Sequence, residues 1–203
     1  MEALTLSSPM IIQVVGLPGS GKSFFAVQFA ATFGSAIVSE DKIRWTLFAN
    51  HTYSDNENAM VEQVSDLLIT ELLRTGKTFV VDGMCNTQES REALAARAQK
   101  AGFRVLTIVV QADEPTARRR ALKRDARKTG DKYKQSLSPE EYIRQKELYQ
   151  SPVVNKNTVV ISGKHTYATQ ARIVLKKIVE TQGARQSAGN STQTARSSGP
   201  FIQ

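Results

Sequence analysis

Eight consecutive residues, Gly16-Leu17-Pro18-Gly19-Ser20-Gly21-Lys22-Ser23, combine a glycine-rich turn with an ammonium and a hydroxyl. Glycines at this spacing let backbone N–H groups turn inward around phosphate, a lysine reaches the β and γ phosphates, and a serine hydroxyl ligates Mg²⁺. The run fits G-x-x-x-x-G-K-[ST] and predicts binding of a nucleoside triphosphate with magnesium. Three further groups could act on such a ligand. Ser39-Glu40-Asp41 places carboxylates where one could take the proton of an acceptor hydroxyl, with Arg44 one turn onward to hold an acidic substrate group. Asp41 could equally cap a helix, and the two roles are compatible. Val80-Val81-Asp82 ends an apolar run in a carboxylate, the form a second Mg²⁺ anchor takes, directly or through a water. Asn86 and Arg91 follow as substrate contacts or as a solvated helix start.

These groups need a scaffold that brings them to one place. Met10 to Val15, Ala36 to Val38, Thr78 to Val81, Arg104 to Val110 and Thr158 to Ile161 read as strands, and they alternate with helical patterns. The alternation predicts a parallel α/β sheet whose ligand sits beyond the carboxyl ends of the strands. Lys22 to Phe33, Glu57 to Arg74 and Gln88 to Ala101 carry apolar residues at helical spacing. Ser138-Pro139-Glu140-Glu141 starts another helix, which Ser151-Pro152 ends, and Tyr167 to Glu180 forms the last. Trp45 and Phe48 are expected to pack into core or line an acceptor pocket, and Cys85 and Met84 to be buried apolar groups. Residues 182–203 turn to Gln, Ser, Thr, Gly and Ala, a composition expected to stay disordered. The expected organisation is one domain over residues 1–181, with a lid about 114–136, followed by that tail.

The net charge of +8 is concentrated rather than spread. Pro115 to Lys134 holds nine basic residues against Asp125 and Asp131, leaving +7 in one segment. A general nucleic-acid binder spreads charge along a groove and interleaves aromatic groups, and this segment has only Tyr133. Arg120, Arg124 and Arg127 recur at i, i+4 and i+7, so on a helix they would share one face and stabilise charge on a transferring phosphoryl group. One cysteine excludes an intramolecular disulfide and a four-thiolate metal site. No apolar run is long enough to span a membrane and the amino terminus lacks a basic leader, so a cytoplasmic protein with no membrane partner is expected. Oligomeric state is not legible.

Together these motifs resemble the phosphate-loop kinases similar to polynucleotide 5′-kinases and zeta-toxin-like kinases, AAA-type ATP-binding proteins, over roughly Ile11 to Lys177. The resemblance rests on the loop, on Asp41 with Arg44, on Asp82 with Asn86 and Arg91, and on Arg120 with Arg124. It implies a three-layer α/β/α fold with a five-stranded parallel sheet in order 2-3-1-4-5. It implies Asp41 as general base, Arg44 on acceptor phosphate, Arg120 and Arg124 on ATP phosphates, and adenine near Gly163 and Lys164. ATP would be the substrate and Mg²⁺ its partner, with a hydroxyl acceptor among nucleosides, nucleotides, nucleic-acid 5′ ends and small metabolites. Asn155-Lys156-Asn157-Thr158 imitates a guanine-specificity motif but lacks its aspartate and precedes its strand, so GTP specificity is unsupported. The chain is also too small for a helicase or for a ring ATPase with its extra lid domain. The alternatives are an ATPase or nucleotide-dependent switch without an acceptor, and a nucleotide-sensing module whose tail binds a partner.

Overall fold

The computed structural model describes residues 8–124, 133 and 135–194. Five strands, β1 (Met10–Val15), β2 (Ala36–Ser39), β3 (Phe79–Asp82), β4 (Arg104–Gln111) and β5 (Thr158–Ser162), form one sheet in the order β2-β3-β1-β4-β5. All four pairings are parallel, with β1 between Phe79–Asp82 on one side and Arg104–Val109 on the other. Among the described residues seven helices accompany the sheet: α1 (Lys22–Thr32), α2 (Glu40–Leu47), α3 (Asp55–Arg74), α4 (Gln88–Lys100), α5 (Glu114–Leu122), α6 (Pro139–Leu148) and α7 (Tyr167–Thr194). No helix of the described residues is long and apolar enough to cross a membrane.

Alternation along β1 builds the three layers. Met10, Ile12 and Val14 join Phe25 and Phe29 of α1 and Val174 and Ile178 of α7 in one core. Ile11 and Val15 join Val61 and Ile69 of α3 and Leu94 and Ala98 of α4 in the other. Every side chain of β1 is buried, as a central strand covered on both faces requires. The helix starts are locally encoded: Ser54, Thr87, Asp113 and Ser138 each accept a hydrogen bond from a first-turn N–H of α3, α4, α5 and α6.

Three expectations change. The last helix continues beyond Glu180 to Thr194, so 182–194 are helical where disorder was expected; no proline interrupts the chain there, and residues 195–203 lie outside the described residues. Trp45 is 49% exposed and meets Tyr133 edge-on at 5.2 Å instead of entering the core, which Phe48 does join. The basic segment is not one continuous helix through Arg124. α5 ends at Leu122, because the returning chain caps it: Leu137 N–H donates to the Ala121 carbonyl, and the Arg124 N–H donates to Ser136 Oγ. Arg127 lies outside the described residues.

Candidate active site

The phosphate loop joins the end of β1 to α1. Gly21 precedes α1 in the left-handed region at φ 107°, and no side chain caps that helix, which suits a first turn whose N–H groups serve an anion. Gly19, at φ 79°, leans so closely on α5 that a Cβ would strike the Ala117 carbonyl. Across the loop, a side chain on Gly163, just past β5, would strike the Ser20 carbonyl. The loop is thus wedged between α5 and the end of β5. Lys22 Nζ donates to the carbonyls of Gly16 at 2.7 Å and Leu17 at 2.9 Å, folding the ammonium back over the turn.

Around this loop opens a cleft of about 680 Å³, within the range of small-molecule sites. From the loop and α1 it is lined by Gly16, Pro18, Gly19, Gly21, Lys22 and Ser23. The ends of β2 and β3 contribute Glu40, Asp41, Asp82, Gly83 and Asn86. The far side carries Arg120, Lys123 and Arg124 from α5 and its end, Gln145 from α6, and Gly163, Lys164 and His165 after β5. Most of the residues singled out in the sequence therefore converge, because the parallel sheet delivers each strand's carboxyl end to the same edge.

Asp82 is 2% exposed, and Ser39 Oγ donates to its Oδ2 at 3.5 Å. Ser23, buried at the start of α1, faces the same cleft. A hydroxyl and a carboxylate are hard oxygen donors of the kind Mg²⁺ takes, and Mg²⁺ characteristically completes its shell with water and substrate phosphate. No cluster of three or more His, Cys, Asp or Glu able to hold a metal occurs among the described residues. Arg120 Nη1 donates to the Gly163 carbonyl at 3.1 Å, spanning the cleft from α5 to the end of β5. Lys164 pairs with Asp113, the cap of α5, and this bond and the Thr116 hydrogen bonds hold the Asp113 carboxyl below its ordinary range.

Two expected substrate contacts sit elsewhere. Arg44 is 2% exposed and does not line the cleft: Nη1 donates to Glu57 at 2.6 Å, Nη2 to Glu40 at 3.2 Å, and the guanidinium lies 4.7 Å from the Tyr53 ring centroid. Burial acts to raise the Glu57 carboxyl, but Arg44 and the N–H and hydroxyl of Thr52 outweigh it and hold it at about 2. Arg91, half-buried, also does not line the cleft; its Nη1 donates to the carbonyls of Cys85 and Asn86, both at 3.1 Å. Leu17 and Ser20 belong to the loop without lining the cleft. Cys85 is buried as expected, and burial pushes its thiol up to about 12, which keeps it unreactive.

Sequence reasoning noted Glu40 beside Asp41 without giving it a site role of its own, and passed over Gln145. Glu40 is 32% exposed; its Oε2 accepts the Met84 N–H at 3.0 Å, and desolvation, then the neighbouring Asp41 charge, raise its carboxyl against the pull of Met84 and Arg44. Its position immediately after a strand was a usable signal. Gln145 had none, since it reaches the cleft only through the packing of α6 against α5.

Known proteins are similar to this chain in sequence or in fold. An adenylate kinase of Streptococcus pyogenes is 26% identical over 155 residues, 70% of this chain and 73% of that protein. The crystal structure of a gluconokinase from Sinorhizobium meliloti 1021 has the same fold at 18% identity and a TM-score of 0.57, covering 91% of this chain and 97% of that one. The Mycobacterium tuberculosis APS kinase, in complex with AMPPNP and APS, matches at 20% identity and a TM-score of 0.56, over 84% and 98% of the two chains. A family model described as AAA domain covers residues 11–152, from β1 to just past α6. With that match over more than half of its length and the phosphate loop at the head of a 2-3-1-4-5 sheet, the chain belongs to the AAA domain family and has the fold of its P-loop kinases.

Proposed function

We propose that the protein is an ATP-dependent phosphotransferase that moves the γ phosphate of ATP to a hydroxyl acceptor. The observation that carries this reading is the meeting of a phosphate loop, a carboxylate next to it and a bank of cations in one cleft: Lys22, Asp41, Arg120, Lys123 and Arg124 all line it. Hydrolysis needs only water, whereas a carboxylate base opposite a cationic lid suits an alcohol.

In the proposed reaction Lys22 leaves the Gly16 and Leu17 carbonyls for the outer phosphates, and the loop N–H groups hold the rest of the triphosphate. Arg120 and Arg124 sit on the phosphate oxygens and spread the developing negative charge. Asp41 accepts the proton of the acceptor hydroxyl as its oxygen bonds to the γ phosphorus. The bond from that phosphorus to the β–γ bridging oxygen breaks, and ADP leaves. Ser23 and Asp82 would hold Mg²⁺, which when bound neutralises charge on the β and γ oxygens. The working unit is residues 1–181, with 114–136 as lid. The closer likeness to polynucleotide 5′-kinases and zeta-toxin-like kinases stays within this proposal, as does a cytoplasmic location.

Incubation with γ-labelled ATP, Mg²⁺ and pooled acceptors tests it. Labelled product is expected with the native chain; Asp41→Asn should keep ATP binding and lose at least roughly 10²-fold in transfer, whereas Lys22→Ala should weaken ATP binding itself. Full transfer by Asp41→Asn would remove the base assignment, and free phosphate alone would favour an ATPase or switch.

A further inference from the structure

The β2–β3 ladder ends where the cleft begins. Its last register pair is Ser39 with Asp82, and beyond that pair the two strands part. β2 is followed at once by α2, which carries Asp41 in its first turn, while β3 turns away through Gly83, Met84 and Cys85. Glu40, the first residue of α2, reaches across this divide. Its Oε2 accepts the Met84 N–H at 3.0 Å, and its Oε1 accepts Arg44 Nη2 at 3.2 Å. Both are hydrogen bonds to a carboxylate, the stronger kind.

Both ends of this bridge are held. Buried Arg44 donates through Nη1 to Glu57 at 2.6 Å, and Glu57 Oε2 accepts the N–H groups of Thr52 and Tyr53 at 2.7 and 3.1 Å. On the β3 side the Cys85 N–H donates to the Gly83 carbonyl at 2.7 Å around Met84, whose φ is 61°. A three-residue turn with a positive central φ is the rare, strained form, and such backbone persists where its surroundings over-determine it. Glu40 supplies one of those constraints, and Arg91, donating to the Cys85 and Asn86 carbonyls, supplies another. The fit is close. A Cβ on Gly83, at φ 93°, would lie 2.7 Å from Glu40 Oε2 and 2.8 Å from its Cβ, so the side chain rests on bare backbone directly after Asp82. A chain of hydrogen bonds from Glu57 through Arg44 and Glu40 to the Met84 N–H thus ties α3 and α2 to the turn that follows Asp82.

We infer that Glu40 is a positioning residue for phosphoryl transfer: through the Met84 N–H it fixes the end of β3, and with it Asp82, against the helix turn that carries Asp41. The inference rests on the phosphotransferase reading above, in which Asp41 takes the acceptor proton and Asp82 holds Mg²⁺. In this role Glu40 exchanges no proton with substrate; its two oxygens serve backbone and guanidinium. What it supplies is the spacing between two carboxylates from different strands, and a misplacement of about 1 Å in such a pair can cost on the order of 10²-fold in rate.

Two variants separate reach from charge. Glu40→Gln keeps the length of the side chain and an oxygen for the Met84 N–H but not the charge; Glu40→Asp keeps the charge and loses one methylene of reach. AMPPNP is titrated calorimetrically into each full-length chain, once with Mg²⁺ and once with EDTA. In Glu40→Asp the affinity in EDTA should stay within about twofold of native, while the affinity gained from Mg²⁺ falls at least about fivefold, the scale of losing a group that orients a metal ligand. Glu40→Gln should keep most of that gain. With the acceptor found by the labelled-ATP assay, kcat should fall at least about tenfold in Glu40→Asp and about threefold or less in Glu40→Gln, with KM for ATP in EDTA-insensitive proportion to the binding data. The reverse order, Glu40→Gln the weaker in both readouts, would mean that the charge acts directly on ligand and would overturn the inference, as would native values in Glu40→Asp. Equal loss of AMPPNP affinity with and without Mg²⁺, together with a lowered Tm, would overturn it by reducing Glu40 to a structural residue. Free phosphate with no labelled product from the native chain would overturn the phosphotransferase reading and leave the AMPPNP titrations to decide the hold of Glu40 on Asp82 by themselves.

Discussion

Arg44 and Glu57 stand 13 residues apart in the chain and 2.6 Å apart in the fold, in a pocket that also takes the Thr52 N–H and hydroxyl. Because the folded carboxyl titrates at about 2, below its ordinary 4.5, the pair contributes stability that is complete above pH 4.5 and is lost as pH falls through 2. The shift corresponds to on the order of 3 kcal/mol. Chemical denaturation should therefore show Glu57→Gln less stable than the native chain by roughly that amount at pH 7, with the gap closing between about pH 4.5 and 2. A gap that persists unchanged below pH 2 would mean that Glu57 acts through packing alone. This pair also marks the limit of what the sequence discloses. The D-x-x-R spacing of Asp41 and Arg44 is visible in the chain, but whether the arginine faces ligand or core depends on a glutamate from α3 that no local pattern connects to it.

Elements were more legible than contacts. The five strands and the helices α1, α3 and α4 follow from apolar periodicity and caps, within a residue or two at their ends. The end of α5 was not legible, because Leu137 and Ser136 cap it from beyond a long intervening segment, and propensity carries no record of such a return. The phosphate loop shows the same division. Its motif is plain in the sequence, yet the reason for a glycine at 19 is partly tertiary: the close approach of α5 as well as a positive φ. Gly19→Ala should cost on the order of 1–3 kcal/mol from the backbone strain alone. It should also weaken nucleotide binding by moving α5, and with it Arg120, away from the loop. Thermal unfolding and titration with AMPPNP would measure the two effects; an alanine variant with native stability and affinity would show that α5 gives way freely.

At the scale of the molecule, the cleft gathers residues from 16 to 165 onto one edge of a five-stranded sheet. A ligand held by that many segments binds the folded chain and not the unfolded one. Mg²⁺ with AMPPNP at about 100 times its Kd should stabilise the protein by about 2.7 kcal/mol, a Tm rise of roughly 5–10 °C for a chain of this size. Lys22→Ala should lose most of that rise, and an equal rise in both proteins would detach the effect from the phosphate loop. The close contact between Gly163 and the Ser20 carbonyl has a consequence for the order in which the protein becomes able to work. The loop leaves a ribosome well before β5, and the backbone that closes over it follows the last strand of the sheet. A nascent chain stopped before β5 therefore carries the whole nucleotide motif without the wall behind it, and the capacity to capture ATP arrives late in synthesis, only once residue 163 has emerged and docked.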